Sequence, residues 1–341
     1  MLFLVATMSV VVDRRTALAS FGVGAALSAL SGCISSPPAR RIPEAEGKLY
    51  VTSWFGGAIH VVDLARGETV RTIPVGIHNH NVFLSPDKKA AWVANNNNGT
   101  VSVIDTSKDS VVATISVGAG PRHTYFSPDG VTAYVTLEFE NAIAEVDAAT
   151  HALRRKLAVG HMPHFPIVVG DRLYVTNFGG ASVAVIDRAS GSMAGHIPTG
   201  IGPLGASATR DGRLVLVACH NANEVAVIDA AAGKLDGVVK TDAGPVQVTV
   251  TPDQQSAYVA NDGAGTVQKI DLASRKVIST IPIGSTAGSH GVAFSAAHGL
   301  LFITNTGRGT VSAIDMVRDE IVGEYAVGPT PEGIAVLLQS A

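Results

Sequence analysis

Three features of this 341-residue sequence predict an all-β fold. A short pattern ending in an apolar residue and an aspartate occurs seven times, at spacings of 40 to 44 residues. Within each copy, short apolar and β-branched stretches alternate with turn residues. Four such stretches per repeat indicate a β-propeller, so we predict seven blades of four antiparallel strands. The repeated aspartates are Asp63, Asp105, Asp147, Asp187, Asp229, Asp271 and Asp315.

The repeat over residues 121–160 shows how the four strands are predicted. RHTYFS (122–127) forms the first strand, and the Pro-Asp-Gly that follows is a tight-turn sequence. TAYVT (132–136) forms the second strand and AIAEVD (142–147) the third. ALRRKLAV (152–159) forms the fourth strand, which a glycine ends. Strands this short, separated by such turns, are typical of antiparallel sheets.

The two ends of the repeat region predict how the ring closes. KLYVTSW (48–54) matches a second strand, with no first strand before it. EGIAVLLQS (332–340), after the last repeat, matches a first strand. We therefore expect the C-terminal strand to complete the N-terminal blade, which removes the exposed edges of a linear array. The predicted propeller spans residues 48–341.

Four of the repeats carry a motif that resembles a known family. AYVT (133–136), LYVTN (173–177), AYVAN (257–261) and FITN (302–305) are each followed by a VID-like segment. These segments resemble the YVTN-repeat, or YncE-like, seven-bladed β-propellers, and the resemblance covers about residues 48–340. It implies the fold more strongly than a function, because such propellers include binding proteins, lactonases, a lyase and haem carriers.

The N-terminus resembles an export signal. The segment from Asp13 to Leu18 (DRRTAL) is similar to a twin-arginine signal, and an apolar stretch follows it. Leu30-Ser31-Gly32-Cys33 is similar to a bacterial lipoprotein processing site. We therefore predict a signal peptide at 1–32, lipidation at Cys33 and a tether at 33–47, placing the protein on the periplasmic side of a bacterial membrane. An uncleaved membrane anchor is the alternative, and either Met1 or Met8 can be the start.

Composition excludes one class of partner. The net charge is −3, only 16% of residues are charged, and the loops carry no run of lysine or arginine, so we do not expect nucleic-acid binding. We expect a monomer. The repeated aspartates suit a structural role at turns. The same reasoning assigns loop bracing to the asparagines after the second strands, Asn95, Asn177, Asn261 and Asn305.

The candidate site lies where the repeats differ. The first residues of the inner strands should ring the channel mouth, and the loops between second and third strands should open on the same face. The inner-strand column is His80, Arg122, His164, Leu204, Val246, His290 and Glu332. The loop column is Trp54, Asn96, Glu138, Phe178, His220, Asp262 and Thr306. Three histidines, an arginine and a carboxylate therefore converge on one side of the mouth.

Three hypotheses fit this mouth. In the first, His80, His164, His290 and Glu332 hold zinc, iron or copper, because imidazole and carboxylate suit these metals. In the second, the mouth holds an iron tetrapyrrole, since GSHGVAFS (288–295) and HNHNVFLSPD (78–87) are similar to strands of haem-carrying nitrite-reductase-type propellers, although those have eight blades. That resemblance implies that His80, His164 or His290 is an axial or distal group of the iron and that Arg122 pairs a carboxylate. It also implies that Trp54, Phe165 or Phe178 stacks on the macrocycle, and we include His220 among the ligand-binding candidates. In the third, the histidines are hydrated channel residues.

Two other functions remain open. His164 with Glu138, or His290 with Glu332, can provide acid–base chemistry for opening a lactone or for β-elimination. No G-x-S-x-G nucleophile motif accompanies these pairs. A non-catalytic scaffold that binds protein partners is the other alternative, although only 5% of the residues are aromatic.

Overall fold

The computed structural model describes residues 46–284 and 288–338. The predicted signal peptide (1–32), the lipidation site Cys33 and nearly all of the tether (33–47) lie outside these residues. The described part consists of seven four-stranded antiparallel sheets arranged as blades, as the sequence predicts. Within it, no helix is long and apolar enough to cross a membrane.

In chain order, the strands are β1 (Lys48–Ser53), β2 (Ala58–Asp63), β3 (Glu68–Pro74), β4 (Asn79–Leu84), β5 (Ala90–Asn95), β6 (Thr100–Asp105), β7 (Ser110–Ser116), β8 (Pro121–Phe126), β9 (Thr132–Leu137), β10 (Ala142–Asp147), β11 (Leu153–Ala158), β12 (Pro163–Val169), β13 (Arg172–Asn177), β14 (Ser182–Asp187), β15 (Met193–Pro198), β16 (Pro203–Ala208), β17 (Leu214–Cys219), β18 (Glu224–Asp229), β19 (Lys234–Lys240), β20 (Pro245–Val250), β21 (Ser256–Asn261), β22 (Thr266–Asp271), β23 (Lys276–Pro282), β24 (Ser289–Ser295), β25 (Leu300–Asn305), β26 (Thr310–Asp315), β27 (Glu320–Ala326) and β28 (Pro331–Leu337). Single 3₁₀ turns occupy Asn96–Asn98, Phe178–Gly180, His220–Ala222 and Ala296–His298.

The ring closes through strands from opposite ends of the chain. Strand β28 pairs antiparallel with β1, with Val336 opposite Leu49 and Ala335 opposite Tyr50. The sheet order is therefore β28-β1-β2-β3, while every other blade consists of four consecutive strands. This pairing confirms the predicted closure, and it leaves β28 as the inner strand of the first blade.

The repeated aspartates accept hydrogen bonds within turns, as the sequence predicts. Each of the seven accepts a hydrogen bond from a backbone N–H two or three residues later. At Asp105 the acceptor Oδ1 lies 2.9 Å from the Ser107 nitrogen. The asparagine column is less uniform: Asn95 accepts from the Gly76 amide at 3.1 Å, whereas the buried Asn177 amide has no partner in the described chain.

The hydrophobic core lies between neighbouring blades. Its largest fully buried side chains include Trp92, Tyr50 and Tyr258. Trp92 of the second blade packs edge-on against Phe126 of the third, with ring centroids 5.3 Å apart. Apolar burial of this kind is the main stabilising contribution to such a fold, and it attaches each blade to the next.

Every inner strand carries a β-bulge near its first residues. In β4 the register shifts between Asn79 and Val82, and β8, β12, β16, β20, β24 and the β1–β28 pair show the equivalent shift. A bulge inserts an extra residue and changes where the following side chains point. Two successive residues of an inner strand, such as Arg122 and His123, can therefore both face the channel.

Candidate functional site

A cluster of histidines lies at the end of the central channel where the inner strands begin. His80, His123 and His164 come from three successive blades and are only 2%, 1% and 5% exposed. The His80 ring centroid lies 4.7 Å from that of His123 and 5.4 Å from that of His164. One ring nitrogen from each of the three lies within 4.8 Å of the other two. The blades thus bring three imidazoles together in a buried position.

His80 also belongs to a second group with His290 and Glu332. One ligand atom of each lies within 4.8 Å of the others, and the His80 Nε2 atom is 3.6 Å from Glu332 Oε2. The ring centroids of His80 and His290 are 5.2 Å apart. Both His290 and Glu332 are partly buried. His80 is therefore the common member of two candidate ligand sets.

Charged and aromatic side chains surround the histidines on the near face, which is the face of the propeller where the inner strands begin. The Arg122 Nη1 donates to Glu138 Oε2 at 3.0 Å, so Glu138 pairs with arginine rather than with His164. The Arg122 guanidinium lies 5.8 Å from the ring centre of Trp54. Trp54 stacks on His78 at 4.7 Å and meets His80 edge-on at 5.5 Å. We call Trp54, His78, Arg122 and Glu138 the rim. The rim partly covers the cluster, and within it Glu138 compensates the Arg122 charge.

Burial sets the protonation of the cluster. It holds the pKa values of His80, His123 and His164 well below the usual value, and the nearby Arg122 charge lowers all three further. Burial, then Arg122, lowers the pKa of His290 to about 4. At neutral pH these imidazoles are unprotonated, which is the form that binds a metal.

The carboxyl group of Glu332 shifts in the opposite sense. Burial raises its pKa to about 8; Arg122 opposes this shift and the Asp262 charge adds to it. At pH 7 the side chain is mostly protonated in the metal-free protein. A neutral carboxylic acid beside a neutral imidazole, His80, is also the arrangement that general acid–base chemistry uses.

Several buried polar atoms of the cluster have no hydrogen-bond partner among the described residues. They are His80 Nδ1, His123 Nε2, His164 Nδ1, Glu332 Oε2 and Arg122 Nε. Unpaired buried polar atoms are costly and uncommon, so each needs an explanation. By contrast, His123 Nδ1 lies 2.8 Å from the Asn81 side-chain nitrogen. For Nε2 to bind a metal, Nδ1 must carry the ring proton and donate it to the Asn81 side-chain oxygen, with the amide group turned over. This donor set fits a transition metal.

The sequence-predicted residues divide between the cluster and its surroundings. His80 and His164 lie in one group, and His80, His290 and Glu332 in the other, with Arg122 and Trp54 at the rim. Phe178 begins the turn Phe178–Gly180 and stacks on no other ring within the described chain. His220 belongs to neither group, and its Nδ1 lies 2.8 Å from Asn221 Oδ1.

His123 is the cluster member that the column of first residues omits. Strict alternation along a strand places it opposite to Arg122, facing away from the channel. The bulge between Pro121 and Thr124 reverses this and aims both side chains inward. The sequence shows that His123 directly follows the column residue of its blade. That position alone does not show which way the side chain points, because the direction depends on the bulge.

Solved structures with this fold come from proteins of several kinds. The chain is similar to Kuenenia stuttgartiensis hydrazine synthase, at 19% identity and a TM-score of 0.69 over 77% of this chain and 96% of that one. A functionally unknown protein from Desulfotomaculum acetoxidans DSM 771 has 16% identity and a TM-score of 0.76 over 87% and 100% of the two chains. Dihydro-heme d1 dehydrogenase NirN, in complex with DHE, has 16% identity and a TM-score of 0.65 over 89% and 78%. No curated protein matches the chain.

Fold and site together define a seven-bladed β-propeller with a histidine cluster in its central channel. The profile of the YncE-like β-propeller family matches residues 15–341. The chain therefore belongs to the YncE-like β-propeller family, as the YVTN-like repeats indicate.

Proposed function

We propose that this propeller binds a transition-metal ion at the buried histidine cluster. The observation that supports this most directly is the buried group of His80, His123 and His164, in which one ring nitrogen of each lies within 4.8 Å of the others. Each of these rings also has one nitrogen without a hydrogen-bond partner among the described residues. Imidazole is a preferred ligand of zinc, copper and iron. A bound zinc ion would supply Lewis acidity, and copper or iron would add electron transfer.

The protein's own residues prepare this site. Burial keeps the imidazoles neutral, so a metal does not compete with protons for them at neutral pH. Asn81 orients His123 through its Nδ1. Glu138 neutralises Arg122, which reduces the repulsion between that guanidinium and a cation. Arg122 remains able to pair an anionic co-ligand on the rim.

An iron tetrapyrrole is a second candidate, and the rim favours it. Trp54 stacks on His78, and Arg122 lies beside them, so this face offers a flat aromatic surface and a partner for a carboxylate. NirN, whose fold this chain shares, was solved with a haem-related ligand. Trp54 and Arg122 would hold the ring and a carboxylate of a tetrapyrrole, and a histidine of the cluster would hold its iron.

Elemental analysis of the protein, purified without a metal-affinity tag, tests both candidates. We expect near-stoichiometric zinc, copper or iron, and visible absorption bands only if a tetrapyrrole is present. His80→Ala should lose the metal whichever ligand set is used. His123→Ala and Glu332→Gln separate the two sets, and His298→Ala, outside both groups, is the control.

The results distinguish the remaining functions. No metal in the parent protein, either as purified or after addition of zinc, copper or iron salts, would contradict the proposal. Lactone hydrolysis by metal-free parent protein that Glu332→Gln abolishes would instead support acid–base catalysis by Glu332 and His80. A protein without metal or turnover would leave the scaffold function.

We also propose that the protein acts outside the cytoplasm, anchored by lipid at Cys33. The twin-arginine-like and lipoprotein-like segments support this proposal. Folded export would allow a cofactor to be inserted before transport. The anchoring test is given in the Discussion.

A further inference from the structure

The channel stays open below the histidine cluster. In three blades, the residue that follows the column residue of the inner strand is a glycine: Gly205, Gly291 and Gly333. A Cβ atom at Gly291 would lie 2.2 Å from the carbonyl oxygen of Glu332, and one at Gly333 would lie 2.6 Å from the Asn81 Cα. These glycines therefore allow neighbouring inner strands to pack closely, and Gly291 also borders a space below the cluster.

That space is a cavity of about 320 Å³ with His123 and His290 on its wall. Phe83, Phe165 and Val292 provide much of its apolar surface. No Asp, Glu, Lys or Arg is found among the described residues that line it. The cavity volume lies at the lower end of the range for small-molecule sites. The cluster is thus in contact with a partly open chamber that no charged residue of the described chain lines.

A second cavity of about 460 Å³ continues from this chamber to the opposite face of the propeller. The two cavities share five lining residues: Phe83, Phe165, Gln247, Thr249 and Val292. The outer one also contacts Pro128 and Gly212, in turns between first and second strands. Such turns lie at the end of the propeller away from the histidine cluster. The two cavities form one route from that face to His123.

The described residues obstruct the shorter route from the near face. His80 and His164 are 2% and 5% exposed. Trp54 lies edge-on against His80, and the Arg122–Glu138 ion pair lies beside Trp54. The two cavities therefore approach the cluster from the opposite face.

We propose that the channel binds a small, uncharged, partly aromatic molecule, which enters from the face opposite the cluster and reaches His123 and His290. This inference rests on the proposed metal site, because the molecule would be the substrate or co-ligand brought to that metal. Phe83, Tyr125 and Phe165 meet edge-on at 5.7, 6.0 and 6.3 Å, which offers aromatic contacts. Gln247 and Thr249 supply polar groups. Among the described lining residues Arg210 is the only charged one, and it belongs to the outer cavity, so a charged molecule that reached the histidines would lose its hydration without a partner.

Fluorine NMR of 4-fluorophenol with metal-free protein tests the binding site without relying on the metal. We expect 4-fluorophenol to bind and its charged counterpart, 4-fluorobenzoate, to bind at least tenfold more weakly. Thr249→Trp, which fills the junction of the two cavities, should weaken 4-fluorophenol binding at least tenfold. Thr114→Trp, on the exposed outer strand β7, is the matched control and should bind like the parent.

Ala293→Phe is a second plug on a different blade, for use if Thr249→Trp does not give the parent's circular dichroism spectrum. Binding that neither plug weakens, or no binding of 4-fluorophenol to the parent, overturns the proposal. With Co²⁺ added, broadening of the bound fluorine signal supports contact with the metal site. Plug-sensitive binding without Co²⁺ uptake supports the channel site while contradicting the metal proposal. Co²⁺ uptake without 4-fluorophenol binding supports the metal proposal while contradicting the channel site.

Discussion

The side chain of Thr136 donates a hydrogen bond to the backbone carbonyl of His164 in the next blade, at 2.9 Å. The same Oγ1 accepts from the His123 amide at 3.0 Å, in the bulge of its own blade. Thr52 links Gly333 to His80 in this way, and Thr304 makes the equivalent contacts to Gly291 and Glu332. The threonine of the YVTN-like motif therefore satisfies the bulged amide and holds the cluster backbone in place.

Replacing Thr136 with valine should weaken metal binding. The change keeps the side-chain shape but leaves the buried His123 amide unpaired, which costs about 1–3 kcal/mol of unfolding free energy. Loss of a supporting contact to a ligand typically lowers metal affinity by about 10–100-fold. Urea denaturation and metal titration measure the two effects.

Thr176→Val is the matched control for Thr136→Val. Thr176 makes the same two contacts, accepting from the Phe165 amide at 2.9 Å and donating to the Leu204 carbonyl at 2.6 Å, on the apolar side of the ring. We expect a similar loss of stability with a smaller loss of metal affinity, because Thr176 contacts the backbone beside one ligand, His164, whereas Thr136 contacts the backbone of both His123 and His164. If Thr136→Val and Thr176→Val had the same metal affinity, the contacts of Thr136 would not position the ligands.

Glu332 should make the metal-free protein less stable as pH rises. Its pKa is about 8 in the folded state against 4.5 for an ordinary glutamate, so between these values the folded state holds a proton that the unfolded state lacks. The contribution is complete below pH 4.5 and is lost as pH rises to 8, with a slope of at most about 1.4 kcal/mol per pH unit. Urea denaturation of parent and Glu332→Gln in chelator measures it.

As pH rises from 5.5 to 8.5, the unfolding free energy of the parent should fall relative to that of Glu332→Gln. Histidines oppose this trend at lower pH in both proteins, because the low folded pKa values of His80 and His123 cost stability as pH falls below about 6.5. Their effect cancels in the comparison. A pH-independent difference would mean that Glu332 titrates normally.

Gly291→Ala should destabilise the protein and disturb Glu332. The added methyl group would meet the Glu332 carbonyl oxygen, and overpacking of this kind costs about 1–3 kcal/mol. Gly195→Ala on β15 is the control, because nothing lies within 4 Å of its Cβ position and the change should be neutral or stabilising. Thermal unfolding compares them. Equal melting temperatures would mean that the inner strands can separate to accept the methyl group.

Cys33→Ser should prevent lipidation and release the exported protein from the membrane fraction. The prediction follows from the lipoprotein-like segment ending at Cys33. Cell fractionation and intact-mass measurement of parent and variant check it, with Cys219→Ser, a change in the buried cysteine of the propeller, as the control. A Cys33→Ser protein that stays full length and membrane-bound would indicate an uncleaved anchor instead.

The sequence by itself determined the fold, its number of blades and its closure. This is because each repeat records its strands and turns locally, and because propeller contacts are mainly between neighbouring repeats. The aspartate turns and the β28–β1 pairing follow from the same local patterns. It also identified His80, His164, His290 and Glu332 as side chains that share one end of the channel.

Only the tertiary structure decided how these residues meet. Their separation into two groups around His80, the inclusion of His123 and the pairing of Glu138 with Arg122 all depend on the seven bulges and on contacts across the channel. Such contacts join residues far apart in the chain, so no local pattern records them. The protonation of the cluster likewise depends on burial, which exists only once the ring has closed.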